Sequence, residues 1–163
     1  MVTTLVAYFS ASGVTKKVGD RLAVGIGADI FEINPEVPYS EADLRWTNPL
    51  ARCNREKIGR KDVPIAKRVK NMEKYDTLFL GFPIWYYGAP NIIMTFLKSY
   101  DLSGKRIALF ATSGGSDMGK TAEKLKPYIS KDAEIIDAKL MYEDTGIKDL
   151  VEWADILMLL VIP

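Results

Sequence analysis

Hydroxyl side chains and a glycine are concentrated in the stretch SASGVT, residues 10–15, between an apolar run and a helical pattern. The first turn of a helix carries free N–H groups and a partial positive charge, which both favour a phosphate. The hydroxyls can donate further hydrogen bonds, and a glycine lets the backbone approach an anion closely. The stretch therefore predicts a phosphate-monoester site formed by Ser10, Ala11, Ser12, Gly13, Val14 and Thr15. An ordinary serine cap followed by a turn glycine is the alternative interpretation of these residues.

Three adjacent aromatic residues stand between two prolines in the stretch FPIWYYGAP, residues 82–90. A flat apolar ligand can stack on one of these rings. Gly88 would let a backbone carbonyl point at that ligand. We expect a ring-binding loop made of Pro83, Ile84, Trp85, Tyr86, Tyr87 and Gly88. The alternative is a loop that packs its aromatics onto the sheet, and we expect this for at least one of the three.

A third stretch rich in glycine and hydroxyls, ATSGGSD at residues 111–117, follows another apolar run. Thr112, Ser113, Gly114 and Gly115 offer small, flexible backbone against which a planar ring can lie. The overlapping segment GGSDMGKT, residues 114–121, also matches the phosphate-loop pattern of nucleotide triphosphatases. That alternative would place the motif after the fourth of five predicted strands. No other predicted strand ends in a clear Mg²⁺-binding aspartate.

Composition excludes several kinds of chemistry. The 163 residues are expected to form one domain, residues 1–163, and the net charge of +1 gives no reason to propose nucleic acid as a partner. One cysteine and no histidine exclude an internal disulfide and a Ser-His-Asp triad, and we expect no metal site. The longest apolar run, residues 156–162, is too short to span a bilayer. We therefore expect a cytoplasmic protein without membrane insertion.

The elements that position these loops follow from alternating patterns. Apolar runs at 4–9, 77–82 and 107–111 are typical of buried parallel strands, whereas charges within 29–33 and 135–141 indicate edge strands. Helical periodicity separates the runs, with a weak second helix within 41–57. We predict an α/β fold, a doubly wound five-stranded parallel sheet of order 2-1-3-4-5 with helices on both faces. Its winding reverses between strands 1 and 3, where the three loops converge.

Together the three loops resemble the flavodoxin family, in which this strand order is known. SASGVT resembles the family's FMN-phosphate loop, PIWYYGAP its second flavin loop and ATSGGSDMG its third. The resemblance implies FMN as cofactor, with the phosphate on residues 10–15, an aromatic of 85–87 stacked on the isoalloxazine and Gly88 near its N5. It also implies electron transfer between partner proteins. The alternative within the fold is an NAD(P)H-dependent FMN or quinone oxidoreductase.

Two departures from the family pattern bear on function. The third loop has no aromatic residue, so the second face of the flavin is either open or covered by Tyr142, Trp46 or a partner. The chain is also close to neutral, whereas carrier flavodoxins are acidic. The acidic surface that docks redox partners in those carriers is therefore not expected here.

Overall fold

The computed structural model describes residues 3–113 and 115–159. Their five parallel strands are β1 (Thr4–Tyr8), β2 (Asp29–Glu32), β3 (Thr77–Pro83), β4 (Arg106–Thr112) and β5 (Glu134–Met141). The strands form one sheet in the order β2-β1-β3-β4-β5, which confirms the predicted order. Since β1 pairs with both β2 and β3, the loops after β1 and β3 lie side by side at the carboxyl edge of the sheet.

Helices cover both faces of this sheet. They are α1 (Val14–Ile26), α2 (Arg52–Gly59), α3 (Asn91–Lys98), α4 (Thr121–Leu125) and α5 (Ile147–Leu159). Helices α1 and α5 pack on one face through a buried cluster that includes Val18, Leu22, Leu150 and Trp153. Helix α3 packs on the other face, where Ile92, Ile93, Phe96 and Leu97 are buried.

The central strands have continuous apolar sequences because helices cover both of their faces. In β3, Leu78 and Leu80 face the α3 side, whereas Phe79 faces α1 and α5. Gly81 lies directly against the ring of Phe110 on β4, and a Cβ at this position would lie 2.1 Å from Cζ of that ring. The ring of Phe110 occupies the space that a side chain at position 81 would need, so this position requires glycine.

Two predicted helices are shorter in the structure than their sequence patterns. Only α2 and a short 3₁₀ helix, Ala42–Leu44, form within 41–59, because Asn48 precedes Pro49 and such a residue disfavours the α conformation. Apolar residues recur at helical spacing at Met118, Ala122, Leu125 and Ile129, which predicts a helix, but this stretch forms only α4 and a 3₁₀ turn, Lys126–Tyr128. Pro127 has no N–H and its ring clashes with the preceding turn, so the α-helix ends at Leu125.

Among the described residues, no helix combines the length and the apolar character that crossing a membrane requires.

Candidate cofactor-binding cleft

A cleft of about 610 Å³ opens where the three predicted loops meet. This volume lies within the range of ligand and cofactor pockets. The cleft is lined by residues of all three loops and of the segment before α2: Ala11, Ser12, Leu44, Trp46, Cys53, Pro83, Ile84, Trp85, Tyr86, Tyr87, Ser113, Gly115 and Ser116. The fold therefore brings the predicted loops together at one site.

Six of the predicted site residues do not contribute to this lining: Ser10, Gly13, Val14, Thr15, Gly88 and Thr112. They lie within the three loops, close in sequence to lining residues. Gly114 lies outside the described residues. Three lining residues, Leu44, Cys53 and Ser116, were not predicted from the sequence, and Trp46 was predicted only as a possible cover.

The first loop enters α1 through an uncapped turn. Gly13 precedes the helix with a φ of 97°, and no atom lies within 4 Å of the position that a Cβ would occupy. The amide of Gly13 donates to the hydroxyl oxygen of Ser10 over 3.1 Å. In the described part of the chain, no side chain caps α1, so the serine-cap alternative does not hold. The first-turn amides thus remain without a side-chain acceptor, as an anion site requires.

The first and third loops are joined through a pair of buried hydroxyls. The side-chain oxygens of Thr15 and Thr112 lie 2.8 Å apart, and the two residues are 1% and 4% exposed. Thr112 also accepts a hydrogen bond at its carbonyl from the amide of Ile84 in the second loop, over 2.8 Å. Thr112 therefore links all three loops behind the cleft.

The second loop folds into a tight turn. Trp85 and Gly88 exchange two backbone hydrogen bonds, of 2.8 and 3.0 Å, and the residues between them, Tyr86 and Tyr87, have φ angles of 51° and 64°. These values are those of a type I′ turn, which places the two tyrosines at its tip. The carbonyl of Gly88 accepts from the amide of Trp85, which closes the turn.

Trp85 is the anchored aromatic of the second loop. Its ring meets Phe9 edge-on at 5.7 Å between centroids and Tyr39 edge-on at 5.6 Å. Tyr87, by contrast, is 75% exposed at the tip of the turn. The expectation that at least one aromatic packs onto the sheet is met by Trp85, which lines the cleft and is also fixed by its neighbours.

The third loop is held by a serine. The hydroxyl oxygen of Ser113 accepts from the amides of Gly115 and Ser116, over 3.1 and 2.7 Å. The phosphate-loop alternative finds no support in this region, because the hydroxyl of Thr121 is buried and donates to the carbonyl of Met118. That hydroxyl is the group that would bind Mg²⁺ in such a loop.

A wall of the cleft comes from the segment before α2, and a buried amide fixes it. The Nδ2 of Asn54 donates to the carbonyls of Trp46 and Asn48, over 2.9 and 2.7 Å. Its Oδ1 accepts from the hydroxyl of Tyr86 in the second loop. Asn54 is only 6% exposed. This single side chain therefore holds the Trp46 segment and the aromatic turn in a fixed relation.

The same wall is braced by Tyr39. The guanidinium of Arg52 lies 4.0 Å from the centroid of the Tyr39 ring, and the Tyr39 hydroxyl donates to Glu56. Burial raises the pKa of Tyr39, and the hydrogen bond to Glu56 raises it further. Tyr39 is therefore a neutral donor and provides a rigid support for Trp85.

Trp46 is the exposed aromatic of this wall. It lines the cleft, yet 72% of its surface is open. Tyr142, the other residue expected from the sequence as a possible cover for the second face of the flavin, does not line the cleft. In the sequence, this wall is indicated only by a tryptophan within a long irregular segment. Long irregular segments often carry function.

Comparison with known proteins agrees with this geometry. The flavodoxin family model matches residues 3–157. A crystal structure assigned to a flavoprotein from Bacteroides eggerthii DSM 20697 is 36% identical and covers 97% of this chain and 99% of that chain, with a TM-score of 0.88. A flavoprotein from Lactobacillus acidophilus NCFM in complex with FMN shares the fold at 21% identity, with a TM-score of 0.69, over 94% of this chain and 99% of that chain.

Among curated proteins, Flavodoxin 1 of Escherichia coli K12 is 36% identical over 85 residues, which are 47% of this chain and 48% of that protein. The chain thus matches about half the length of the curated relatives. The family model spans nearly all of the described residues, and the observed strand order is the one known in this family. The chain belongs to the flavodoxin family.

Proposed function

We propose that this chain binds FMN in the cleft and acts in electron transfer, as a single FMN-binding domain over residues 1–163. The observation that carries the proposal is the cleft itself. The cleft lies where the winding of the sheet reverses. It is lined by the hydroxyl-bearing loop that leads into α1 and by a wall of aromatic side chains. Family membership supports the same cofactor, and FMN is what the Lactobacillus acidophilus flavoprotein binds.

The residues present fit this cofactor at both of its ends. The open space at Gly13 and the uncapped start of α1 suit a phosphate group. Ser12 lines the neighbouring wall with an exposed hydroxyl that can donate to it. The apolar, aromatic remainder of the cleft suits a planar ring. No cation of the first loop is needed, because amides and hydroxyls supply the donors.

Each group has a separate task toward the cofactor. The first-turn amides and Ser12 bind the phosphate, while Thr15 holds the loop to Thr112. Trp85 and Trp46, which both line the cleft, would contact the ring. When bound, FMN supplies the redox chemistry, and the protein controls its potential and its accessibility.

An apolar rim around the cleft supports transfer to an external partner. Two exposed aromatic side chains that line the cleft, Trp46 and Tyr87, are 72% and 75% accessible. Exposed apolar surface of this kind marks an interaction site. A redox partner protein is the proposed partner, and the cytoplasm remains the predicted location.

A second function, an NAD(P)H-dependent FMN or quinone oxidoreductase, is favoured by one observation. The cleft is open beside Trp46, and the chain carries a net charge of +1. A nicotinamide or quinone could therefore reach the cofactor without meeting an acidic surface.

One anaerobic experiment tests the proposal. The FMN-loaded protein is mixed with NADPH, or reduced with dithionite and then mixed with an oxidised one-electron carrier protein. We expect rapid electron transfer to the carrier and slow bleaching of the flavin absorption by NADPH. Fast bleaching by NADPH with turnover on a quinone would instead establish the oxidoreductase. Failure of the protein to retain FMN would contradict both functions.

A further inference from the structure

Two lysines that do not line the cleft contact the backbone at the turn formed by residues 85–88. The Nζ of Lys57 on α2 donates to the carbonyl of Ala89 over 3.3 Å. The Nζ of Lys124 on α4 donates to the carbonyl of Tyr87 over 3.4 Å. Both ammonium groups approach the same point, since a Cβ at Gly88 would lie 3.7 Å from one and 4.0 Å from the other. Two separate helices therefore direct positive charge at one turn.

This pair of cations has no compensating carboxylate nearby. Within residues 3–113 and 115–159, no Asp or Glu lies within ion-pair distance of either lysine, although seven other such pairs form. Lys57 is half-buried. Burial, followed by repulsion from Lys124, lowers the pKa of Lys57. Burial and the neighbouring Lys124 both disfavour the positive charge of Lys57, so the stability of the fold does not explain this arrangement.

We propose that Lys57 and Lys124 act through the 85–88 turn as tuning residues, which make the cleft prefer the reduced, more negative form of its cofactor. The inference rests on the proposed FMN function. It assigns to these lysines an electrostatic role in addition to their hydrogen bonds to the turn.

The 85–88 turn contacts both the cleft and the two lysines. Trp85, Tyr86 and Tyr87 line the cleft, and the carbonyls of Tyr87 and Ala89 accept from the two ammonium groups. Reduction of FMN by two electrons and one proton adds one negative charge to the ring system. A positive charge across one layer of backbone stabilises that negative charge, because little water separates the two. The carboxylates of an acidic surface would have the opposite effect.

The test compares reduction potentials of the FMN-loaded protein. Wild type, Lys57→Gln, Lys124→Gln and the double variant are equilibrated with a reference dye during slow reduction by dithionite. Lys131→Gln is the matched control, since it removes the same charge from an exposed position before β5, at the opposite edge of the sheet. Lys57→Arg and Lys124→Arg keep the charge but change the hydrogen-bond geometry.

We expect each glutamine variant to lose about tenfold of the preference for reduced over oxidised FMN. For a two-electron couple, tenfold corresponds to about 30 mV toward negative potential. The double variant should lose more than either single variant, while Lys131→Gln and both arginine variants should stay near wild type. Raising the salt concentration should shrink the differences.

Two results would overturn the inference. One is that the glutamine variants bind FMN with unchanged potentials. The other is that the arginine variants shift the potential as much as the glutamine variants, which would assign the lysines to the shape of the turn alone. A protein that binds no FMN would contradict the proposed function, and FMN absorption measured before the titration separates that outcome from these two.

Discussion

The hydroxyl oxygens of Thr15 and Thr112 lie 2.8 Å apart, although 97 residues separate them in the chain. Each residue is almost fully buried, at 1% and 4% exposure. This contact joins the start of α1 to the end of β4, and so joins the first loop to the third. The phosphate end and the ring end of the cleft are thus held together by one pair of side chains.

Removing one hydroxyl of this pair should destabilise the apoprotein. Thr15→Val and Thr112→Val each leave a buried hydroxyl without its partner, which costs about 1–3 kcal/mol. The double variant leaves neither hydroxyl unpaired, so its loss should be smaller than the sum of the two single losses. Urea unfolding of the four proteins measures this coupling. Strictly additive losses would show that the two hydroxyls do not stabilise each other.

Ser12→Ala should weaken FMN without weakening riboflavin. Ser12 is exposed and lines the cleft, so its hydroxyl is free to meet the phosphate, which riboflavin lacks. A hydrogen bond to a charged group contributes about 1.5–3 kcal/mol. Fluorescence titrations with both flavins measure the difference. Equal losses for the two ligands would remove Ser12 from the phosphate site.

The two tryptophans of the cleft should respond differently to substitution. Trp85→Ala removes contacts with Phe9 and Tyr39 and should lower the stability of the apoprotein as well as FMN affinity, the latter by about 1–2 kcal/mol. Trp46→Ala alters a side chain that is 72% exposed, so the stability should change by less than about 0.5 kcal/mol.

Trp46 should contribute to the affinity for FMN. We expect Trp46→Ala to weaken FMN by about 1 kcal/mol and to raise the residual emission of the bound flavin, because one face of the ring becomes open. Leu50→Ala, an exposed position in the same segment, is the control. If Trp46→Ala binds and quenches FMN as wild type does, another group covers that face.

Several features of this site could be predicted from the sequence. The strand order followed from the contrast between apolar and charge-bearing runs, since only buried strands tolerate continuous apolar residues. The first and third loops followed from glycines and hydroxyls at strand ends, and the second loop followed from three adjacent aromatic residues between two prolines. The wall with Leu44 and Cys53 could not be predicted, because residues 36–64 have no clear periodicity and their position depends on the contacts of Asn54. The carbonyl direction of Gly88 likewise depends on its pairing with Trp85.

Alkaline pH should destabilise the protein through Tyr8. The pKa of its hydroxyl is raised to about 12, mainly by burial; the hydrogen bond from Lys16 lowers the pKa, and the bond that the hydroxyl donates to Asp20 over 2.9 Å raises it. The folded state therefore holds this proton more tightly than the unfolded chain does. The resulting stabilisation is complete below about pH 10 and is lost as the pH rises toward 12.

Tyr8→Phe should reduce this loss of stability. Urea unfolding between about pH 9 and 12 measures it, with the exposed Tyr142→Phe as the control. Part of the slope should remain, because burial also raises the pKa of Tyr75 to about 12. A Tyr8→Phe protein whose stability falls as steeply as that of wild type would show that Tyr8 does not hold its proton.

The most direct test of the central claim, that the three loops and the Trp46 wall form an FMN site, is a titration of the apoprotein with FMN and with riboflavin. We predict one FMN per chain, strong quenching of flavin emission and an affinity on the order of 100-fold above that for riboflavin, since about two hydrogen bonds to the phosphate are lost with the latter. Equal affinities for the two flavins would contradict the phosphate loop, and the absence of quenching would contradict the aromatic cleft.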